Sequence, residues 1–228
     1  MYRILLITLT LLMAGCAGDG RQEAFSFRSL AKSDLDFVID IQIQSLHEHL
    51  IELTNKFYAR NPGELRKTSN LTLDARLKQL FDKPGPLIFD ELNKKQGVDA
   101  ILLGLDPAYG GDRVFAVMAG LTDMLRRSYG YRNEYFMLDE LDQQKLYNSA
   151  RNVEVLVWRL KHRQDGSGQV LLLTNQQSVE IENLSFERLF GKIIALQDNL
   201  ARITAQKNNR TISTAAQRAA TTLVFLPI

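Results

Sequence analysis

The sequence predicts a mainly α protein: a single helical domain with three long amphipathic helices. Two observations carry the prediction. Apolar residues recur at alternating spacings of three and four over three long stretches, the period of one helix face. Gly, Pro and Asn gather between the stretches, where a chain of helices needs its stops. The composition agrees, since 45% apolar and 24% charged residues are ordinary for a globular chain and exclude wholesale disorder. Five Pro and fourteen Gly exclude collagen-like or linker-dominated architecture.

The first long helix is signalled by Ser33-Asp34-Leu35-Asp36, a capping hydroxyl three residues ahead of an acid. Ile39, Ile43, Leu46, Leu50, Leu53 and Phe57 then form one stripe, which Asn61-Pro62-Gly63 ends. Shorter helices are expected over 73–81, stopped by Lys83-Pro84-Gly85-Pro86, and over 87–96, stopped at Gly97. The apolar run 98–105 is short enough for a buried strand or a helical turn, and periodicity does not choose. After Gly110-Gly111 a helix is expected over 112–127, with Val114, Val117, Met118, Leu121 and Leu125 turned inward.

Residues 129–136 read as an aromatic loop, and 139–162 as the second long helix, striped by Leu146, Ala150, Val153, Val157 and Leu160. Asp165-Gly166-Ser167-Gly168 is turn chemistry. Behind it, 169–174 and 178–182 can pair as a small β-hairpin. The third long helix is expected over 185–206, on Phe186, Leu189, Ile193, Leu196, Leu200 and Ile203. Residues 211–228 mix Ala-rich helix formers with Leu223-Val224-Phe225-Leu226. Each stripe lasts about three heptads, too few for an extended coiled coil, so packing as a bundle within one chain is expected.

The chain opens with Met1, Tyr2 and Arg3, then an apolar run from Ile4 to Met13 closed by Ala14-Gly15-Cys16. A permanent spanning helix needs about twenty apolar residues. This run is about half as long, and reads as the core of a secretory signal with small residues at the cut. Leu12-Met13-Ala14-Gly15-Cys16 resembles the lipobox of bacterial lipoproteins, over these first sixteen residues alone. The resemblance implies cleavage before Cys16, a diacylglycerol thioether on its sulfur and an N-acyl chain on its new amino group, with no other cofactor.

Residues 1–15 are then the signal, 16–31 the acylated Cys and tether, and 32–228 a helical periplasmic domain. Ala17, where Asp is absent, implies outer-membrane sorting by resemblance to Gram-negative lipoproteins. Each buried methylene contributes about 0.8 kcal/mol, so one chain holds reversibly while two or three hold stably. The lone Cys is explained by the same reading.

The rest of the inventory offers little chemistry. A formal charge of +2 is too balanced for a dedicated nucleic-acid binder. One Cys excludes an intramolecular disulfide framework and any multi-cysteine zinc site. His47 and His49 are two apart and point to opposite sides of a helix, so with His162 they read as solvated surface residues and no metal site is expected. Ser167 lacks the strand–turn–helix frame of a nucleophile elbow, and 104–111 lacks a phosphate-loop ending. Asp139, Glu140 and Asp142 suit a helix N-terminus. No catalytic residue is assigned.

The least ordinary stretch runs from Arg126 to Phe136. Arg127, Tyr129, Tyr131, Arg132, Tyr135 and Phe136 combine large apolar area with polar tips, the side chains that carry binding energy at interfaces. Two readings stay open for them: a partner- or ligand-binding surface, or aromatic filler between two helices with the Arg residues paired to Glu134 and Asp139. The leading expectation for function is a non-enzymatic scaffold or accessory, anchored to the lipid bilayer through Cys16 and docking an envelope protein partner. A carrier or sensor of a lipid, glycan or other small ligand is the alternative, and requires a cavity near the aromatic loop. A cell-wall-acting enzyme comes third, and requires carboxylates converging in a cleft with raised pKa values.

Overall fold

The computed structural model describes residues 34–68, 71–134, 141–175, 184–208, 211–212 and 223–228, all within the compact unit Lys32–Ile228. Among them the chain is mainly helical, with seven α-helices and no strand. In chain order the helices are α1 (Asp34–Arg60), α2 (Pro62–Arg66), α3 (Leu73–Phe81), α4 (Gly97–Gly104), α5 (Arg113–Ser128), α6 (Gln143–His162) and α7 (Ser185–Lys207).

The stripes of the three long helices α1, α6 and α7 enter one core, with α7 packed against both α1 and α6. Leu46, Leu50 and Leu53 of α1 share one core with Leu146, Val153 and Leu156 of α6 and with Leu189, Ile193 and Leu200 of α7. Burying a side chain of this size contributes about 1.5–3 kcal/mol, so the shared core, more than helix propensity, fixes these elements. α1 and α7 run antiparallel. The Phe57 ring meets Phe186 edge-on at 5.0 Å, and at the far end Lys207 Nζ stands 3.5 Å from the buried Asp36 carboxylate.

α5 differs from its sequence pattern in an instructive way. The expected inward residues are buried, and so is every other residue of the helix except Arg127. Its second face is covered by α4, which settles the run 98–105 as helix. The two helices approach through glycines. A Cβ on Gly120 would lie 2.5 Å from the Gly97 carbonyl oxygen, and one on Gly104 would lie 2.8 Å from Val117 Cγ2. Arg113 closes the junction, its guanidinium donating to the carbonyls of Gly104, Asp106 and Pro107 at 2.9, 2.6 and 3.0 Å. These acceptors lie at the end of α4, where carbonyls lack helical partners.

The helix expected over 87–96 does not form. A single 3-10 turn, Asp90–Leu92, occupies the segment, and Asn93 and Lys94 both take left-handed φ values of 52° and 58°. Leu87 and Leu92 would lie about 140° apart around a helix, yet both are sunk in the core while Ile88 is exposed. The Leu87 N–H donates to Asp123 Oδ1 at 2.9 Å. Tertiary anchors therefore override local helix preference here.

Local chemistry fixes the remaining ends. Asp142 caps α6 by accepting from the N–H groups of Gln144 and Lys145, which starts the helix at Gln143 rather than at 139. α5 ends with Gly130 at φ 71°: the Tyr131 N–H returns to the Arg126 carbonyl at 2.8 Å and the Gly130 N–H to Arg127 at 3.0 Å. That pair of bonds is a Schellman closure. Around the Asp165–Gly168 turn one antiparallel bridge joins Gln164 to Val170, a pairing different from the expected hairpin of 169–174 with 178–182. Its second half, 178–182, lies outside the described residues.

Two extended pieces are held by asparagine. Asn61 donates to the Leu173 carbonyl at 2.9 Å and accepts its N–H at 2.8 Å. Asn152 grips Leu226 in the same two-handed way, at 2.9 and 2.6 Å. Leu173 is largely exposed, whereas Leu226 is buried.

Candidate functional groove at the end of α5

The aromatic stretch divides between core and surface. Tyr129 is core: burial pushes its phenol up to about 12, against the opposing pull of Arg126. Arg126 is buried too, and donates to the Lys83 carbonyl at 3.0 Å. Tyr131 is half-buried, with a left-handed φ of 59° that turns the chain away from the helix end. Its hydroxyl donates to Asp123 Oδ1 at 3.2 Å and accepts from Arg127 Nε at 3.1 Å. Arg132 is exposed. Tyr135, Phe136 and Asp139 lie outside the described residues, as does Cys16, and the acid beside Arg127 is Asp123, at 3.7 Å.

Arg127 opens onto a groove of about 450 Å³. One wall is Gln96, Val98 and Asp99 at the start of α4, a second is Met124 and Arg127 of α5, and the third is segment 225–228. Arg127 is fixed by Gln96 Oε1 at 3.1 Å as well as by Tyr131. The Tyr131 hydrogen bond raises its pKa further, against the effect of partial burial. The groove thus sets the Arg127 cation and the Asp99 carboxylate beside the apolar side chains of Val98 and Met124, and its volume of about 450 Å³ falls in the ~300–1,000 Å³ range of small-ligand sites. Of the described residues singled out in the sequence, Arg127 lines this groove and is held by Tyr131, while Arg126 and Tyr129 are buried.

Sequence reasoning missed the opposite bank. Asn148, Asn152 and Arg159 lie on one face of α6, four and seven residues apart, and their side chains donate to the main chain of segment 223–228. Asn148 reaches the Pro227 carbonyl at 2.9 Å and Arg159 the Leu223 carbonyl at 2.9 Å. The available signal was two asparagines one turn apart in a helix, where asparagine is a poor former.

A second polar cluster lies under the start of α5. The Arg76 guanidinium is fully buried, 3.8 Å above the Phe115 ring, with Glu91 at 2.6 and 2.8 Å and Asp112 Oδ2 at 3.3 Å. Asp112 also accepts from the Tyr58 hydroxyl at 2.8 Å and caps α5 through the Phe115 N–H at 2.9 Å. Burial raises the Asp112 pKa despite these donors. The Arg113 N–H donates to Glu64 at 2.7 Å. Asp112 and Glu91 are therefore tied to cations or helix-end groups, and the arrangement clamps α1, α3 and α5 together.

The histidines stay apart. His47 is half-buried rather than solvated, edge-on to Phe81 at 5.2 Å, and burial together with nearby Arg126 lowers its pKa. His162 is exposed and stacks on Trp158 at 4.3 Å. Among the described residues no three potential ligands gather for a metal ion, and no helix is long and apolar enough to cross a membrane. No family model, curated protein or solved structure matches this chain.

Proposed function

We propose that this chain is a lipid-anchored envelope protein whose helical domain is a non-enzymatic scaffold or accessory, docking a protein partner in the periplasm. The observation that carries the reading is Leu12-Met13-Ala14-Gly15-Cys16 behind a short apolar run. The thiol is the acceptor for the diacylglycerol chain, and the outer membrane is its destination. The test compares wild type with Cys16→Ala in a Gram-negative host, by intact mass and membrane fractionation. Wild type is expected in the outer-membrane fraction at the mass of a shortened, acylated chain, and the variant is expected without acylation and outside that fraction. Two unmodified, soluble proteins would refute the anchor.

One observation favours a second reading, a carrier or sensor of a small ligand. The groove beside Arg127 has room for a small amphipathic molecule, its polar end between Arg127 and Asp99 and its apolar body lying against Val98 and Met124. Native mass spectrometry of the purified protein checks this. A retained small molecule lost in Arg127→Glu supports it, and a bare chain in both counts against it.

A further inference from the structure

The geometry points to the α6 face as a binding site for an extended peptide of a partner protein, filled in this structure by the chain's own segment 223–228. The inference rests on the docking reading above and gives that partner a chemistry: an uncharged, extended stretch with an aromatic residue followed by leucine.

Three features carry it. First, recognition runs through main chain. One amide, the Leu226 N–H, is received by Asn152, and three carbonyls, of Leu223, Leu226 and Pro227, are met by Arg159, Asn152 and Asn148. Such a set accepts any peptide of the same backbone shape, as strand-like recognition does elsewhere. With the resident segment in place Asn152 is fully buried and Asn148 nearly so, and Gln144, from α6 itself, orients the Asn148 amide by donating to its oxygen at 2.9 Å. Side-chain selection falls to the Leu226 position, which is buried, and to Phe225, whose ring lies under Arg159 at 5.1 Å.

Second, the resident segment is an imperfect occupant. Leu223 enters with φ 59°, a left-handed conformation that an L-residue with a branched side chain adopts only under constraint. A peptide arriving from another molecule has no such turn to make. Val224 contributes an apolar side chain that is more than half exposed.

Third, the resident segment leaves space. The 450 Å³ groove runs along Phe225–Ile228 and remains open toward Val98 and Met124. A partner with bulkier residues after its leucine gains contact there that Pro227 and Ile228 do not make.

The experiment keeps the full-length chain. A fluorescein-labelled LVFLPI peptide is titrated by anisotropy into wild type, into Leu226→Asp, and into Leu226→Asp combined with Asn152→Ala. An aspartate at position 226 removes the apolar burial that holds Leu226 and puts a charge where a buried leucine stood, which releases the resident segment. The peptide is expected to bind Leu226→Asp at least tenfold more tightly than wild type, and Asn152→Ala is expected to remove that gain. Equal binding to wild type and Leu226→Asp, or binding indifferent to Asn152, overturns the site.

If Leu226→Asp loses helical signal, the wild-type chain is irradiated with the same peptide carrying benzophenone at its aromatic position. Crosslinks confined to α6 and residues 96–99 uphold the site, and none there overturns it. A wild-type dimer that Leu226→Asp converts to monomer makes the occupant a second copy, and the partner assignment falls. The Cys16 fractionation result is independent of all these readouts, so a failed groove and a failed anchor are distinguishable.

Discussion

Replacing Gly120 with alanine should destabilise the domain, although helix propensity alone forecasts the opposite. Gly120 is in the middle of α5, where alanine is intrinsically favoured by about 1 kcal/mol. The new methyl, however, would sit 2.5 Å from the Gly97 carbonyl oxygen and 2.6 Å from the Ile101 nitrogen. Both are backbone atoms of α4 and cannot rotate aside. Restoring ordinary contact requires α4 to retreat by roughly 1 Å, which loosens Ala100 and Ile101 from the core. Overpacking of this kind costs about 1–3 kcal/mol, and more where nothing can yield.

The net loss expected for Gly120→Ala is therefore about 2 kcal/mol. In urea denaturation followed by circular dichroism, a slope of about 2 kcal/mol per molar puts the midpoint about 1 M below wild type. Gly191→Ala is the matched control. It lies on the exposed side of α7 with nothing within 4 Å of a new Cβ, and should gain about 1 kcal/mol. Gly120→Ala at or above wild-type stability would refute the reasoning, because it would show that α4 is not seated on α5 as described.

Two further outcomes follow from the buried charges. Arg76→Met should cost about 3–5 kcal/mol in the same denaturation assay, since it strands the Asp112 carboxylate, only 1% exposed, without its cation. Adding Asp112→Asn should recover more of that loss than adding Glu91→Gln, whose carboxylate is already 32% exposed to water. His47 should make stability pH-dependent. Its folded pKa is lowered by burial and by Arg126, so the unfolded chain binds the proton first as pH falls past about 6.5. Stability should therefore decline from that point until the folded pKa is passed. Chemical denaturation at several pH values should show this decline reduced in His47→Gln, and an unchanged profile would contradict the burial.

The parts of the fold legible in the sequence are those governed by one face of one helix. Ile39 to Phe57 and Phe186 to Ile203 keep their period because each stripe meets a single shared core. α5 departs from its pattern because Asp123 and Arg126 sit away from its stripe, with Thr122 at the stripe's edge, and look like a solvated face. They are buried by bonds to Leu87 and Lys83 and by the cover of α4, which no local window contains. The segment 87–96 departs from its pattern for the same reason, its Leu87 and Leu92 obeying distant anchors. Of the candidate site, Arg127 was legible because a charged residue among tyrosines is unusual. The asparagines of α6 were not, since their partner is a main chain 74 or more residues away and leaves no side-chain signature.

The antiparallel seating of α7 on α1 also dictates an order of events during synthesis. Asp36 and Lys207 are separated by 171 positions, so the first long helix cannot meet its mate until nearly the whole chain exists. At ordinary elongation rates that interval is on the order of ten seconds or longer. Throughout it Leu46, Leu50, Leu53 and Phe57 have no α7 to lie against, a greasy ridge offered to whatever is nearby. Closure of the bundle is thus a late step, possible only once the chain near Lys207 has been made.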